Sequence, residues 1–153
     1  MSREYTTEEI TWATRRLDMA MSRLMVALSR AVGISVPEML ALEYLDADGS
    51  IGPSELARRL QMTSGAMTAL VDRLEASGHV VRQRHPADRR RVLVKRTNKA
   101  DDDLGAEIAP MAMQIFELAE SLDDAEREAV GRFLDGFIAI IESTAAEACA
   151  CAR

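Results

Sequence analysis

Pro53-Ser54-Glu55-Leu56-Ala57-Arg58-Arg59-Leu60 and, two residues later, Thr63-Ser64-Gly65-Ala66-Met67-Thr68-Ala69-Leu70-Val71-Asp72-Arg73-Leu74-Glu75-Ala76-Ser77-Gly78 read as two helices joined by a tight turn. Pro53 suits the first helical position, and Leu56, Ala57 and Leu60 fall on an inward face. Thr63 is a good N-cap, and Gly78 suits the position just past a helix end. At 100° per residue Met67, Leu70, Val71 and Leu74 make one apolar stripe, while Gly65, Ala66, Ala69, Asp72, Arg73 and Ala76 face away. Small residues over two turns let a helix backbone approach a groove closely. Ser64 and Thr68 flank them as hydrogen-bonding groups, and Arg73 is placed for a phosphate or a base edge. The plainer alternative is a surface helix whose alanines serve helix propensity.

The pattern changes after Gly78. His79-Val80-Val81-Arg82-Gln83-Arg84 and Arg91-Val92-Leu93-Val94-Lys95-Arg96 are rich in β-branched residues, with the turn-like Pro86-Ala87-Asp88-Arg89 between them. They predict a β-hairpin with an arginine-laden tip. A two-stranded ribbon behind a helix-turn-helix is a wing, whose tip reaches the sugar-phosphate backbone or the minor groove.

Outward from this module the chain is helical. Thr6 and Glu9 fit a capping box, followed by Ile10, Ala13, Leu17, Met21, Leu24 and Leu28 at helical spacing up to Gly33. A second helix starts near Ser35, has Pro37 in its first turn, and ends at Asp48-Gly49. Thr97 caps a long helix with Leu104, Ile108, Met111, Ile115 and Leu118 inward, interrupted or bent near Pro110. Asp123 and Glu126 open a last helix carrying Val130, Phe133, Leu134, Phe137, Ile138 and Ile141. These helices hold more apolar surface than one chain of this size buries, and a two-fold dimer would cover it while pairing two reading helices. The interface is expected from residues of about 7–31 and 104–144, with Ile10, Leu17, Ile115, Phe133, Phe137 and Ile141 in it.

The bulk properties fit this layout. A length of 153 residues suits one domain, here 1–153, with a DNA-binding lobe over 35–97 and dimerisation helices over 7–33 and 98–148. The fold class expected is mainly α with a small β wing. A net charge of −6 argues against nucleic acid until it is divided along the chain. Residues 52–99 hold eleven Arg or Lys against four Asp or Glu, a net +7, which leaves −13 for the remainder. No apolar run approaches the roughly 20 residues that span a bilayer, and Met1-Ser2-Arg3-Glu4-Tyr5 lacks a signal peptide's apolar stretch, so the expected location is the cytoplasm, away from membranes.

Other chemistries find little support. No P-loop, dinucleotide glycine motif or H-E-x-x-H is present, and no Ser, Cys, His and Asp set lies in plausible proximity along the sequence, so an enzyme is not expected. Cys149 and Cys151 are i and i+2 on a helix, a poor chelate, and read as incidental thiols. Asp101-Asp102-Asp103 complements a helix N-terminus more simply than it binds a metal. No cofactor or metal is expected.

The helix order, Pro53-Ser54-Glu55-Leu56-Ala57, the run from Met67 to Gly78 and Asp88-Arg89-Arg90 on the wing together resemble the MarR family over nearly the whole chain. The resemblance implies a winged helix-turn-helix with N- and C-terminal dimerisation helices, a recognition helix in the major groove and a wing arginine in the minor groove. The DNA-contacting positions expected are Ser54, Thr63, Ser64, Gly65, Ala66, Thr68, Ala69, Arg73, Arg84, Asp88, Arg89 and Arg90. It further implies a homodimeric repressor on a pseudo-palindromic operator in double-stranded DNA, released by a small-molecule effector, often phenolic. Effector-lining positions stay unassigned, with Trp12, Arg15, Arg16 and Tyr44 conceivable. His79 stands where the family usually has Leu, Arg96 where an apolar residue usually precedes the threonine, and Ala100 replaces a common Gly. The cysteine near the first helix of peroxide-sensing members has no counterpart. The alternatives are a metal- or redox-responsive regulator of the same fold and a winged-helix protein-interaction module.

Overall fold

The computed structural model describes residues 4–88 and 90–151, the side chains of 149–151 excepted. The readings of Arg89 and of the Cys149 and Cys151 thiols therefore lie outside the described residues. In chain order the elements are α1 (Thr7–Val32), α2 (Val36–Asp48), α3 (Pro53–Arg59), α4 (Ser64–Ala76), β1 (Val80–Arg84), β2 (Val92–Arg96), α5 (Asn98–Glu120) and α6 (Asp124–Cys151). This is the expected mainly helical chain with a two-stranded wing. It divides into two compact units, Met1–Ile108 and Ala109–Arg153, with α5 running through the boundary.

Local chemistry sets the element ends of the first unit. The Glu9 N–H donates to Thr6 Oγ1 at 3.2 Å and the Thr6 N–H to Glu9 Oε2 at 3.0 Å, which is the capping box expected at the start of α1. Gly33, at φ +77°, closes that helix, a backbone conformation that costs other residues about 1 kcal/mol or more. Ser35 and Glu38 form a second capping box at the start of α2. Its sequence signature is Ser-x-x-Glu, next to the Pro37 of the first turn.

Between α3 and α4 the chain turns through Gln61 at φ +52°, with the Met62 N–H donating to Ala57 O at 2.9 Å. A side-chain-bearing residue thus holds a left-handed position that favours glycine. The Thr63 Oγ1 then accepts the Ala66 N–H at 3.2 Å and starts α4.

The core of this unit joins Met39, Leu42 and Leu45 of α2, Leu56 of α3, Met67, Leu70, Val71 and Leu74 of α4, and Val80 and Val94 of the wing. Ala100 and Leu104 at the start of α5 complete it. The predicted α4 stripe is buried to the last residue. Each such Leu, Met or Val is worth about 1.5–3 kcal/mol relative to exposure, and Leu70→Ala should cost about 2–5 kcal/mol.

The wing strands pair antiparallel, with Val80 opposite Arg96 and Arg84 opposite Val92. Ile51 adds a bridge on the other edge of β2. Its N–H donates to Val94 O at 3.0 Å, and the Val94 N–H donates back at 2.8 Å. What reads in sequence as a connector is therefore a third strand's stub, and it anchors the wing beside α3.

α5 begins where Thr97 Oγ1 accepts the Ala100 N–H at 3.4 Å and donates to Gly78 O at 2.7 Å. Of the interruption or bend expected near Pro110, the interruption does not occur, since the helix is continuous through that residue. Leu104 is buried and Ile108 half-buried, but Ile115 and Leu118 are exposed rather than inward.

In the second unit Asp123 and Glu126 cap α6 as expected, with the Glu126 N–H on Asp123 Oδ1 at 2.8 Å. The Phe133 and Phe137 rings stack within 2° of parallel, centroids 6.4 Å apart. Phe133, Ile138, Ile140 and Ile141 stay exposed. Among the described residues no single helix is long and apolar enough to cross a membrane.

Candidate nucleic-acid interface

The solvent face of α4 carries what the spacing predicts. Ser64, Gly65, Ala66, Thr68, Ala69, Asp72 and Arg73 are exposed opposite the buried stripe, and Ser54 is exposed in the first turn of α3. A Cβ on Gly65 would meet no heavy atom within 4 Å, so nothing in the chain itself requires glycine there. The space is available to a groove wall. Thr68 Oγ1 donates to Ser64 O at 2.9 Å, which commits its proton and leaves only acceptor capacity outward.

The basic charge counted in the sequence is not all presented outward. Arg58 forks onto Glu55 at 2.6 and 2.8 Å, and Arg59 reaches Glu55 at 2.9 Å and also pairs with Asp48. Those hydrogen bonds, from Arg58 first, hold the exposed Glu55 carboxyl down at about 2. Arg82 bonds Asp72 at 2.6 Å and pairs with Glu75, tying β1 to α4. Arg96 joins Asp46 of α2, at 2.9 Å, to Asp101 of α5, at 2.7 Å, while its buried Nε finds no partner. Lys99 pairs with Asp103. Asp101 and Asp103 of the acidic run thus answer cations of the chain itself.

Arg73 has a dual position. Its Nε donates to Glu38 Oε1 at 2.6 Å, and the Glu38 side chain is 7% exposed against 59% for Arg73. Burial pushes the Glu38 carboxyl up, but the Ser35 backbone and hydroxyl bonds and the Arg73 guanidinium together outweigh it and hold the group below its ordinary value.

On the wing, Arg84, Arg90, Arg91 and Lys95 have no carboxylate partner among the described residues. At its tip His85 Nδ1 accepts the Ala87 and Asp88 N–H groups, each at 3.2 Å, and Asp88 Oδ1 accepts the Arg90 N–H at 3.1 Å. Arg90 and Arg91 line an open groove of about 580 Å³ together with Gly52, Ser54, Arg58 and Val92. Arg58 and Arg91 were missed in the sequence, because only the Ile51–Val94 bridge brings the wing beside α3.

One constellation corrects the sequence reading. Ser77 Oγ lies 2.6 Å from His79 Nδ1, and His79 Nε2 lies 3.0 Å from Asp103 Oδ2. A Ser-His-Asp chain is therefore present, where none had been expected in proximity. His79 is 3% exposed, so no substrate reaches it. The chain straps the end of α4 to the start of α5, at the position where the resemblance expects Leu.

A reading helix with a small-residue face, braced by a core and followed by a cationic hairpin, defines a winged helix-turn-helix protein. Comparison with known proteins agrees. Residues 32–91 match the sequence profile of the MarR family. The HTH-type transcriptional regulator YcgE of Bacillus subtilis is 28% identical over 116 residues, 76% of this chain and 75% of that one. The crystal structure of RV1404 from Mycobacterium tuberculosis superposes with a TM-score of 0.62 at 28% identity, over 90% of this chain and 96% of that one. The fold is also that of FabT from Streptococcus pneumoniae, solved in complex with DNA, with a TM-score of 0.65 at 20% identity over 88% and 99% of the two chains. Over residues 32–91 the chain matches the MarR family, and the relative it resembles over three quarters of its length is an HTH-type transcriptional regulator.

Proposed function

We propose that this regulator is a homodimeric repressor that binds a pseudo-palindromic operator, laying α4 in the major groove and the wing tip in the adjoining minor groove. The observation that carries the reading is the division of its arginines. Within the lobe Arg58, Arg59, Arg82 and Arg96 are paired with the chain's own carboxylates, whereas Arg84, Arg90 and Arg91 of the wing are left for phosphate. FabT's complex with DNA is in keeping with it. Ser54, Thr63, Ser64, Gly65, Ala66, Thr68 and Ala69 form the close-approach face, Arg73 reads from its end, and Arg84, Arg89 and Arg90 supply the wing's cations.

Dimerisation rests on apolar side chains that the single chain leaves in water. They include Ile10 and Leu17 of α1 and Ile115, Phe133 and Ile141 of α5 and α6, with the half-buried Phe137 among them. The dimerisation helices are assigned to 7–33 and 98–148, and the lobe to 35–97. A small-molecule effector, phenolic by analogy with the family, releases the operator. Selection of bound sequences from a random duplex pool tests the proposal. A dyad with half-site centres about 10–10.5 bp apart is expected. Recovery of sequences without a dyad would defeat the dimeric docking.

A further inference from the structure

Glu38 lies on α2 and yet touches the reading helix. Its Oε2 accepts the Ser35 N–H at 2.7 Å and the Ser35 hydroxyl at 2.8 Å, while its Oε1 accepts Arg73 Nε at 2.6 Å. Both oxygens are engaged, the side chain is almost wholly buried, and the capping box fixes its rotamer. One edge of the Arg73 guanidinium is therefore held from inside the lobe. Among the described residues its Nη groups have no protein partner, and the side chain remains more than half exposed. An arginine unheld at this point would sample many rotamers and would have to be ordered when DNA arrives.

We propose that Glu38 is a positioning residue for DNA recognition, presetting the Arg73 guanidinium with its Nη edge outward so that operator binding meets an already ordered side chain. The inference rests on the proposed reading of Arg73 as a DNA contact. It makes the α1–α2 corner, where Ser35 sits, part of the reading apparatus. It also requires arginine at 73, because lysine offers one point charge where the guanidinium offers separate edges to a carboxylate and to DNA.

The test is a double-mutant cycle on binding to the duplex that the wild-type protein selects from a random pool. The variants are Glu38→Gln, Arg73→Ala and the double variant, with urea unfolding as the check on folding. Glutamine preserves the capping box, since Gln serves at that position, and removes the charge that holds Arg73. Glu38→Gln is expected to weaken binding by about two- to tenfold, with the salt slope unchanged. In the Arg73→Ala background the same change is expected to have no effect. Arg73→Lys, which keeps the charge on an exposed face, is expected to lose affinity as well and stands in if Glu38→Gln fails to fold. Unchanged or tighter binding by Glu38→Gln, an equal loss in the Arg73→Ala background, or full affinity in Arg73→Lys would overturn the inference while leaving the interface in place. Full affinity in Arg73→Ala would remove Arg73 from the interface and the inference with it.

Discussion

The carboxylate of Asp88 accepts the backbone N–H of Arg90 at 3.1 Å. It closes an Asx-type turn at the wing tip and makes no recorded bond to the Arg90 guanidinium. The acid therefore shapes the turn that carries the arginine, and if the wing meets phosphate as proposed, its lone charge repels DNA. Asp88→Asn keeps the turn's hydrogen-bond acceptor and removes the charge. It should tighten DNA binding by up to about 1 kcal/mol at low salt, with the gain fading as salt rises. Gel-shift titration at two ionic strengths checks this; weaker binding by the asparagine variant would mean that the charge itself orients Arg90.

His79 is buried between Ser77 and Asp103 at the base of the wing. Replacing a buried hydrogen-bonded group by an apolar one of similar volume is often nearly neutral, whereas truncation leaves a void and unpaired partners. Thermal unfolding should show His79→Leu within about 1 kcal/mol of wild type and His79→Ala lower by at least about 2 kcal/mol. Equal losses in both would show that the strap's hydrogen bonds, rather than its bulk, hold this corner.

Glu38 gives the lobe an acid-sensitive component. Its folded value lies below the ordinary 4.5. The stability it contributes is thus fully present above that ordinary value and is lost as pH falls through the lower folded one. Urea midpoints measured downward from neutral pH should stay level until about the ordinary carboxylate range and then fall, less steeply in Glu38→Gln than in wild type. Parallel acid branches would contradict the assignment.

Phe133 and Phe137 stack on the exposed side of α6. If that side is covered by a second copy, a charge placed there is incompatible with association. Phe133→Asp should sediment as a monomer of lowered stability where wild type sediments as a dimer at micromolar concentration. A folded wild-type monomer at that concentration would end the dimeric account.

Much of this was legible in the sequence because it is local. The Thr6/Glu9 and Asp123/Glu126 boxes lie within one helical turn, and the Met67-Leu70-Val71-Leu74 stripe follows from 100° per residue. What escaped is carried by distant residues. Arg73 meets Glu38 across 35 positions, Ile51 pairs with Val94, and Ser77, His79 and Asp103 converge only when α5 folds back on the wing base. Charge counting foresaw a basic module but not that Arg58, Arg59, Arg73, Arg82, Arg96 and Lys99 are tied internally. The positive φ at Gln61 has no signature, because glycine, which would mark it, is absent. Ile115 and Leu118 were read as inward from helical periodicity, which reports an apolar face but not what covers it.

The central claim is that the wing and α4 form one DNA-contacting face, and the salt dependence of Arg90→Ala binding to the selected duplex tests it most directly. Arg90 is exposed at the turn, so its loss should leave the fold and the dimer intact. The account predicts a loss of about 1–3 kcal/mol in affinity and a salt slope shallower by about one unit, as one phosphate or minor-groove contact is removed. Unchanged affinity and unchanged slope would take the wing off the DNA and contradict it.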